Sequence, residues 1–500
     1  MRKKREVNLS EFYILGLDQS TQGTKGVLVD KNGCLIARAD RAHRQIISEE
    51  GWVSHDLNEI WNNVLQVLRE VVEKSGIKKE QIACIGITNQ RETIAAWDRE
   101  SGKPLADAIV WQCSRAAEIC DEIEKKMSDP EEIYRKTGIM LSPFFPAAKM
   151  SWLLRNNENV QKAAKEKRLA FGTIDSYLVY RLTDGKEFRT DYSNASRTQL
   201  FDITSLEWDE DLCRIFEIPA ETLPEVTDSD MIFGTTTIGG WLEKPIAIAA
   251  VLGDSHGALF GHGCLKEGDI KVTYGTGSSI MMNLGEKYSH DSHGLSTSLA
   301  WKYKGRVSYV LEGNINYSGS VITWLKDDLR LIHSAKETEE LAREANQDDG
   351  TYIVPAFSGL GAPWWNNKAK AMIWGMSRTT GKEEIVKAAC ECIAYQINDV
   401  VRTMRADTGL AIPEICADGG ATSNQYLMQF QSSITNADIK IPNTEEMSVL
   451  GVVYMAGISR GLYPEEIFQI LQYDRYLPDM EESMRREKTE GWINAVEKLW

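Results

Sequence analysis

Residues 246–277 read IAIAAVLGDSHGALFGHGCLKEGDIKVTYGTG, and no other stretch of the chain is as rich in groups that can do chemistry. Residues 246–252 are a continuous apolar run, which is typical of a strand covered on both faces of a sheet. Gly253 ends the run, and Asp254 follows it at the edge where open α/β sheets bind their ligands. Residues 272–277 predict a second strand and a turn whose backbone N–H groups can face an anion. The stretch therefore predicts a base beside a phosphate.

Each part of this stretch also has an ordinary interpretation. An aspartate after a strand is most often a helix cap or a turn residue, and a Gly-Thr-Gly sequence also occurs in hairpin turns.

The same pattern of strand, aspartate and small-residue turn recurs elsewhere in the chain. Residues 13–18 predict a strand ending at Asp18 before a hydroxyl-rich turn, and residues 418–424, DGGATSN, predict a glycine turn that opens a helix. Such a turn at a helix N-terminus is a ready anion or nucleotide site.

Length, charge and cysteine content restrict the class of protein. A chain of 500 residues with 42% hydrophobic content exceeds what one core usually holds, so two domains with a cleft between them are expected. The formal net charge of -16 argues against a nucleic-acid surface. The nine cysteines are scattered without a CxxC pair, which indicates reduced thiols and a cytoplasmic location. No apolar run approaches the length of a membrane span, and the start of the chain lacks the pattern of a signal peptide.

Two segments of the first half predict a scaffold helix and a polar strand end. Residues 57–74 place apolar side chains at helical spacing, and Asp56 with Glu59 forms a capping box at their start. Residues 81–88 predict another buried strand, which ends in the polar sequence NQRET at residues 89–93. A row of polar side chains at the end of a buried strand needs a specific reason.

Two similar halves, each with a phosphate-contacting turn, describe the actin-like ATPases, and longer motifs make the resemblance specific. The matching segments are LGLDQST (15–21), IGITNQRET (85–93), AIVWQC (108–113), FFPAAKMSWLLRN (144–156), TDYSNASRT (190–198), VPAFSGLGAPWW (354–365), AMIWGMSRTTGKEEIVKAACE (371–391), DGGATSNQYLMQFQ (418–431) and LGVVYMAG (450–457). In these segments the chain resembles the FGGY family of carbohydrate kinases over nearly its whole length. The similarity is greatest to the members that act on glycerol.

The resemblance implies an α/β, two-domain actin-like ATPase (ribonuclease H-like) fold with a central interdomain cleft. Residues 1–252 would form the N-terminal domain, which binds substrate and phosphate, and residues 253–500 the C-terminal, nucleotide-binding domain. The implied reaction is ATP-dependent phosphorylation of a terminal hydroxyl of a small polyol, glycerol or a close relative. Its cofactors are ATP and Mg²⁺. No nucleic-acid or membrane partner is expected, and the family often forms dimers or tetramers.

The resemblance also assigns roles to residues of the phosphoryl-transfer machinery. Asp254 would be the general base that accepts the proton of the attacking hydroxyl. Asp18 would hold Mg²⁺, through water, since this ion keeps part of its hydration shell. The positions matching nucleotide contacts are Thr21, Gln22, Gly23, Lys25, Thr276, Gly319, Thr323, Gly420 and Asn424. On spacing alone, Lys25 fits a solvated strand charge equally well.

The family's substrate contacts map onto a second group of residues. These are Arg91, Glu92, Trp111, Phe144, Asp254, Ser255 and Ser279. Arg91 and Glu92 can donate to and accept from vicinal hydroxyls, and Trp111 offers an apolar face for a carbon chain. The ordinary alternatives are a surface ion pair for Arg91 with Glu92 and core packing for Trp111.

Three of these positions depart from the pattern of the members that act on glycerol. Those members generally have a tyrosine at the position of Phe144, a glutamine at that of Ser255 and a phenylalanine at that of Ser279. The exchanges predict a pocket that is wider and differently polar, so a four- or five-carbon polyol or ketose competes with glycerol as substrate. The chain also lacks, between residues 239 and 245, the glycine-and-arginine loop through which some relatives bind an inhibitory sugar bisphosphate.

Two other classes of function remain as alternatives. One is an actin-like ATPase that acts as a chaperone, filament or sensor, for which the polar strand end at Arg91 and Glu92 would have no purpose. The other is a catalytically weakened sugar-binding regulator, against which the presence of both Asp18 and Asp254 argues.

Overall fold

The computed structural model describes residues 11–129, 131–288 and 294–500. The chain forms two compact units. Unit 1 comprises the described residues of Met1–Gly263 together with Ser298–Ser308 and Glu446–Ile470, and unit 2 comprises those of Cys264–Thr297, Tyr309–Glu445 and Leu471–Trp500. Within the described ranges, no helix combines the length and apolar composition that crossing a membrane requires.

The strands, in chain order, are β1 Tyr13–Gln19, β2 Gly23–Asp30, β3 Leu35–Ala42, β4 Ile46–Ile47, β5 Val53–His55, β6 Ile82–Asn89, β7 Ile94–Asp98, β8 Ala108–Ile109, β9 Leu169–Thr173, β10 Arg189–Asp191, β11 Phe201–Asp202, β12 Glu207–Trp208, β13 Glu225–Thr227, β14 Gly234–Thr236, β15 Ile246–Gly253, β16 Ile270–Tyr274, β17 Ser278–Gly285, β18 Ser296–Tyr303, β19 Arg306–Ile315, β20 Tyr352–Val354, β21 Met372–Trp374, β22 Glu414–Gly419, β23 Asp438–Pro442 and β24 Tyr473–Tyr476.

The α-helices, in chain order, are α1 Leu57–Ser75, α2 Ala117–Lys126, α3 Glu131–Thr137, α4 Pro146–Asn156, α5 Glu158–Lys165, α6 Ile174–Leu182, α7 Tyr192–Ala195, α8 Glu210–Ile215, α9 Asp254–Gly261, α10 Gly319–Thr323, α11 Glu337–Glu344, α12 Lys382–Thr408, α13 Gln425–Thr435, α14 Met447–Ser459 and α15 Glu482–Glu497. A π-helical turn, Trp324–Asp328, follows α10, and short 3-10 turns lie at Lys79–Gln81, Ala220–Thr222, Gly420–Ser423 and Ile467–Ile470.

The main sheet of unit 1 has the strand order β14-β15-β6-β1-β2-β3. Strands β15, β6 and β1 are parallel neighbours, whereas β1, β2 and β3 form an antiparallel meander and β14 pairs antiparallel with β15. The three parallel strands are almost wholly buried, as their continuous apolar sequences predict. A second sheet of unit 1, in the order β4-β5-β8-β7-β9, carries the segments around residues 94–98 and 108–109.

The main sheet of unit 2 repeats this pattern of pairing. Its strands β19, β17, β16, β22, β23 and β24 are successive neighbours. Strands β19, β17 and β16 pair antiparallel, β16, β22 and β23 pair parallel, and β24 closes the series antiparallel. The repetition of strand, aspartate and glycine turn in the sequence thus corresponds to a repeated sheet topology.

Helix α1 illustrates how the sequence specifies the scaffold. Asp56 caps its N-terminus by accepting hydrogen bonds from the backbone N–H groups of Asn58 and Glu59, and Gly76 ends it in a left-handed conformation. The apolar stripe of the helix joins the core on which the main sheet of unit 1 packs. The predicted helix at residues 57–74 therefore agrees with the structure to within one residue.

Unit 1 extends beyond residue 252, where the sequence suggested the division into domains. Helix α9 packs closely on α14, because Gly257 and Gly451 bring the two backbones together. A methyl group on Gly451 would clash with the carbonyl oxygen of Gly257. This close packing keeps the first helix after Asp254 and residues 446–470 in the same unit.

Candidate active site

Three strand ends of unit 1 bring the predicted acceptor residues to one edge of the sheet. In the register of the parallel strands, Asp18 of β1 and Leu252 of β15 both pair with Thr88 of β6. The polar sequence at residues 89–93 and the start of α9 follow directly. Because parallel strands end at a common edge, Asp18, Arg91 and Asp254 lie close together.

Asp254 is the first residue of α9 and lies beside a guanidinium group. Its Oδ1 accepts a hydrogen bond from the backbone N–H of Ser255 at 2.6 Å and lies 3.4 Å from Nε of Arg91. The Asp254 side chain is 34% exposed, whereas that of Arg91 is 8% exposed. The carboxylate is therefore held by its neighbours and can still be reached by a substrate, which a purely capping aspartate would not require.

Asp18 is buried more deeply than Asp254, with 7% of the residue exposed. Burial raises the pKa of Asp18 to about 7; the charge of Lys25 opposes this shift, and those of Asp254 and Glu446 add to it. Among the described residues, none donates a hydrogen bond to its Oδ1. A buried carboxylate oxygen without a donor suits a hydrated divalent cation, so the structure fits the Mg²⁺ role that the resemblance assigns to Asp18.

Lys25 is engaged in an ion pair within unit 1. Its Nζ lies 2.6 Å from Oε2 of Glu446, and Nη1 of Arg38 lies 2.5 Å from Oε1 of the same carboxylate. Glu446 is buried, so this is not the solvated strand charge that spacing alone allowed. A contact of Lys25 with nucleotide phosphates stays a prediction.

The turn between β1 and β2 is closed tightly, as a phosphate-contacting turn must be. The backbone N–H and the hydroxyl of Ser20 both donate to the carbonyl of Gly23. A methyl group on Gly23 would lie 2.7 Å from the carbonyl oxygen of Arg41, which explains the glycine. Nε1 of Trp111 donates to Oγ1 of Thr21 at 2.9 Å. Since this bond uses an acceptor position of the hydroxyl, the Thr21 O–H remains available as a donor.

A buried chain of polar side chains supports this turn, and sequence reasoning missed it. Gln45 donates to the carbonyl of Thr21 at 2.7 Å, and Nε2 of His55 lies 2.9 Å from Oε1 of Gln45. Nδ1 of His55 lies 3.3 Å from Nε2 of Gln90, which also donates to Oε1 of Gln19. Burial lowers the pKa of His55 to about 3, so the ring is neutral and its Nε2–H tautomer satisfies both contacts.

Arg91 and Glu92 are buried, which excludes the surface ion pair considered for them. Glu92 has a positive φ of 58°, and its Oε1 accepts a hydrogen bond from Nε of Arg197 at 2.6 Å. Arg197 is itself 1% exposed. It lies in the TDYSNASRT segment, whose match to the family was the only sequence signal for it. The three side chains form a charged group whose geometry is set before any ligand binds.

Trp111 and Phe144 form an aromatic pair next to the turn of Thr21. Their ring centroids are 5.3 Å apart with an interplanar angle of 57°. Both residues are partly exposed, unlike the core tryptophan Trp97, so core packing alone does not account for Trp111. The pair offers an apolar surface of the kind that binds a short carbon chain.

Ser255 and Ser279, the two serines that depart from the family pattern, lie in different units. Ser255 follows Asp254 in α9, in unit 1. Ser279 lies on β17 in unit 2, where its hydroxyl donates to Oε1 of the buried Glu312 at 3.2 Å. Their contribution to a common substrate pocket stays a prediction.

The five predicted nucleotide contacts in unit 2 line a single cavity of about 810 Å³. They are Thr276, Gly319, Thr323, Gly420 and Asn424. The backbone N–H of Gly319 donates to the carbonyl of Gly275, and that of Ser320 donates to the carbonyl of Thr276. Glycine is required at 319, because a methyl group there would lie 2.7 Å from the oxygen of Gly275. This volume can hold a nucleotide.

The glycine turn after β22 forms part of the wall of this cavity. Gly419 has a φ of 98°, and the turn Gly420–Ser423 leads into α13. Asn424 caps α13 by accepting from the backbone N–H of Leu427, while its Nδ2 donates to Oγ1 of Thr338. The structure thus confirms a glycine turn at a helix start, and the part of Asn424 toward a nucleotide stays a prediction.

Comparisons with known proteins agree with this architecture. Residues 13–261 match the N-terminal domain of the FGGY family of carbohydrate kinases, and residues 270–460 match its C-terminal domain. The chain is 46% identical to glycerol kinase 1 of Thermotoga maritima, covering 98% of this chain and 99% of that protein. It is 43% identical to the glycerol kinase of Bacillus licheniformis, with 97% and 98% coverage.

Solved structures give the same result for the fold. The crystal structure of Plasmodium falciparum glycerol kinase with ADP matches with a TM-score of 0.92 and 35% identity, covering 98% of each chain. A xylulose kinase from Lactobacillus acidophilus matches with a TM-score of 0.87 over 97% of this chain and 98% of its own, at 23% identity, and bears on the fold alone. These matches confirm the predicted two-domain actin-like ATPase fold and the ATP-dependent kinase activity. The chain belongs to the FGGY family of carbohydrate kinases.

Proposed function

We propose that this kinase transfers the γ-phosphoryl group of ATP to a terminal hydroxyl of glycerol or a closely related small polyol. The observation that carries the proposal is the acceptor side of unit 1. There a reachable carboxylate, Asp254, lies 3.4 Å from the buried Arg91, which is flanked in turn by the buried Glu92. A polyol needs such a combination of donors and acceptors, and a filament or sensor ATPase does not. The similarity to kinases named for glycerol supports the same substrate class.

In the proposed reaction, Asp254 accepts the proton of the attacking hydroxyl as the oxygen bonds to phosphorus. Arg91 fixes the orientation of the Asp254 carboxylate, and its guanidinium group would donate to a neighbouring substrate hydroxyl. Glu92, held by Arg197, accepts from another hydroxyl. Transfer requires the γ-phosphate to reach this hydroxyl, so activity is expected to depend on both units.

On the phosphate side, Thr21 and the backbone of its turn would contact the transferred group. Asp18 would hold Mg²⁺, which when bound neutralises charge on the phosphate oxygens. The support for this role is the buried Oδ1 of Asp18, to which no described residue donates. The cavity of unit 2 would hold the rest of the nucleotide through glycine backbone and hydroxyl groups.

A four- or five-carbon polyol or ketose is the second candidate for the acceptor. It is favoured by the two serines at positions 255 and 279, which are smaller than the glutamine and phenylalanine expected there, and by the loss of a phenolic hydroxyl at Phe144. A wider pocket would leave glycerol with unpaired polar groups around it, and such mismatches reduce kcat/KM strongly.

A coupled assay of ADP release tests the proposal and distinguishes the two substrates. The purified protein is given Mg-ATP with glycerol, erythritol, threitol, erythrulose, xylitol, xylulose, ribulose or dihydroxyacetone. The highest kcat/KM is expected for glycerol, and a longer compound with the highest value would assign the second candidate instead. Absence of turnover with every compound would contradict the proposed substrate class.

Location and assembly complete the proposal. The nine cysteines are free thiols in the structure, which is the form expected in a reducing cytoplasm. We propose a homodimer or homotetramer from the family resemblance. Sedimentation of the purified chain would measure its oligomeric state.

A further inference from the structure

Helix α4 carries a fully buried lysine, Lys149, which has no role in the proposed reaction. Lys149 is 0% exposed and lies between apolar neighbours in the segment FFPAAKMSWLLRN. Its Nζ donates to the carbonyl oxygen of Trp111 at 3.0 Å and to that of Phe144. A lysine in such a place is costly, since burial disfavours the ammonium ion and orders a long side chain.

Burial also lowers the pKa of Lys149 to about 7, although the charge of Glu92 opposes this shift. Lys149 therefore occupies a position where burial disfavours the charged form of its side chain. A shorter neutral donor could pair with one of these carbonyl groups without burying a charge, so the need to pair a single carbonyl does not explain a lysine here. The particular residues that Lys149 holds offer a better explanation.

The two carbonyl groups belong to Trp111 and Phe144, the aromatic pair proposed to face the carbon chain of the acceptor. We call this pair the acceptor surface. Trp111 and Phe144 lie 33 positions apart in the sequence, and their rings are in contact at 5.3 Å. Trp111 is held at two further points, because its backbone N–H donates to Thr93 and its indole N–H donates to Thr21. Of the described side chains that hydrogen-bond to Trp111 or Phe144, only Lys149 bonds to the backbone of both residues.

We propose that Lys149 is a positioning residue for the acceptor substrate, which sets the relative placement of the Trp111 and Phe144 rings by holding both backbone carbonyls. This inference rests on the proposed function, because the aromatic pair must face the carbon chain of the acceptor. Lys149 does not touch the substrate itself. Its loss changes the shape of the acceptor surface while the nucleotide cavity of unit 2 is left as it is.

The chain offers a matched control in another buried lysine. Lys387 of α12 is 0% exposed, and its Nζ donates to the carbonyls of Asn346, Gln347 and Asp349 at 2.9 to 3.3 Å. Burial lowers its pKa as well. None of those three residues belongs to the acceptor surface. Lys387→Met therefore makes the same chemical change and imposes a comparable loss of stability at a different place.

The test compares Lys149→Met, Lys149→Gln and Lys387→Met in the full chain, using the acceptor with the highest kcat/KM and measuring both KM values and the Tm. Lys149→Met is expected to raise the acceptor KM about tenfold with the ATP KM within twofold of the wild type. Glutamine is one atom shorter and reaches one carbonyl, so Lys149→Gln is expected to raise the acceptor KM about threefold. Lys387→Met is expected to lower the Tm and leave the acceptor KM unchanged.

Two results would overturn the inference. One is an unchanged acceptor KM in Lys149→Met, or in Lys149→Gln if the methionine variant does not fold. The other is an equal rise in the acceptor KM in Lys387→Met, which would show that lost stability alone produces the effect. A wild-type protein that phosphorylates none of the acceptors would instead contradict the proposed function, and this inference with it.

Discussion

The acceptor side of unit 1 and the nucleotide cavity of unit 2 differ in how tightly their polar side chains are buried and paired. Around Asp254, the side chains of Asp18, Arg91, Glu92 and Arg197 are all less than one-tenth exposed and are bonded or charge-coupled to one another. The wall of the cavity of about 810 Å³ instead combines glycines and hydroxyl groups with the charged side chains of Lys326, Lys336 and Glu339. Of its hydroxyl-bearing residues, Thr276 and Thr323 are exposed.

The difference follows from what each side has to recognise. A small polyol offers few atoms, so a site can select it only by pairing each hydroxyl with a group held at a fixed position. A nucleotide is large, and many weak contacts from backbone and small residues suffice to bind it. We expect single changes on the acceptor side to reduce turnover strongly and changes in the cavity to affect mainly the affinity for ATP.

The largest effect on turnover is expected from replacing the proposed general base, Asp254. Asp254→Asn removes the proton acceptor and leaves the cavity of unit 2 unchanged, so kcat should fall about a thousandfold while ATP binding persists. Steady-state kinetics gives the first quantity, and calorimetric titration with an ATP analogue gives the second. Turnover within tenfold of the wild type would remove Asp254 as the base.

A smaller effect is expected at the glycine turn of the cavity. Gly420→Leu adds a side chain where no atom lies within 4 Å, so the protein should fold while the cavity loses space. The KM for ATP should rise about tenfold with little change in the acceptor KM. Gly350→Leu is the matched control, since that glycine is also surrounded by open space but does not line this cavity. An equal effect of both variants would contradict the assignment of the cavity.

The acceptor preference should respond to the two serines. Ser255→Gln together with Ser279→Phe restores the larger side chains of the members that act on glycerol and should shift the ratio of kcat/KM values toward glycerol about fivefold, a step of roughly 1 kcal/mol. The ratio is measured against erythritol or xylulose in the ADP-release assay. If the ratio does not change, these positions do not line the acceptor pocket.

The last prediction concerns stability, without any direct effect on turnover, and tests how unit 2 is held together. Asp399 accepts hydrogen bonds from the indole N–H groups of Trp364 and Trp492, and burial raises its pKa to about 6. Since its pKa is higher in the folded than in the unfolded state, the folded protein keeps the proton longer. Stability should therefore fall by about 2 kcal/mol as the pH rises from 4 to 6 and change little above that.

Denaturant unfolding between pH 4 and 8 measures this dependence. Asp399→Asn cannot ionise, so its unfolding free energy should lack this part of the slope. An identical pH profile for the variant and the wild type would show that the proton on Asp399 does not control the stability of unit 2.

Several features of the fold could be predicted because they depend on local chemistry. The buried strands ending at Asp18 and Asp254 follow from continuous apolar runs, and α1 follows from helical spacing and its Asp56 cap. The glycine turn before α13 likewise has a local sequence signal. The place of α9 in unit 1 has no such local signal, because its packing on α14 joins segments nearly 200 residues apart.

The candidate site shows the same distinction. Asp254, Arg91 and the Thr276 turn could be named from motifs. Gln45 and His55 lie in no quoted motif, and the motifs that contain Arg197 and Lys149 gave no role for either residue. Each of these four acts through a bond to a residue distant in sequence, and a polar residue at such a position has the same local pattern whether it faces water or a buried partner.

The sequence by itself determined the class of this protein: an α/β kinase of the FGGY family, its strand-end aspartates and its glycine turns. Apolar periodicity, turn residues and motif order are local properties, and they are readable without coordinates. Only the tertiary structure decided which buried polar groups pair with one another, such as Lys25 with Glu446 or Arg197 with Glu92. Pairing depends on distances between segments far apart in the chain, and those distances are set by how the sheets and helices pack.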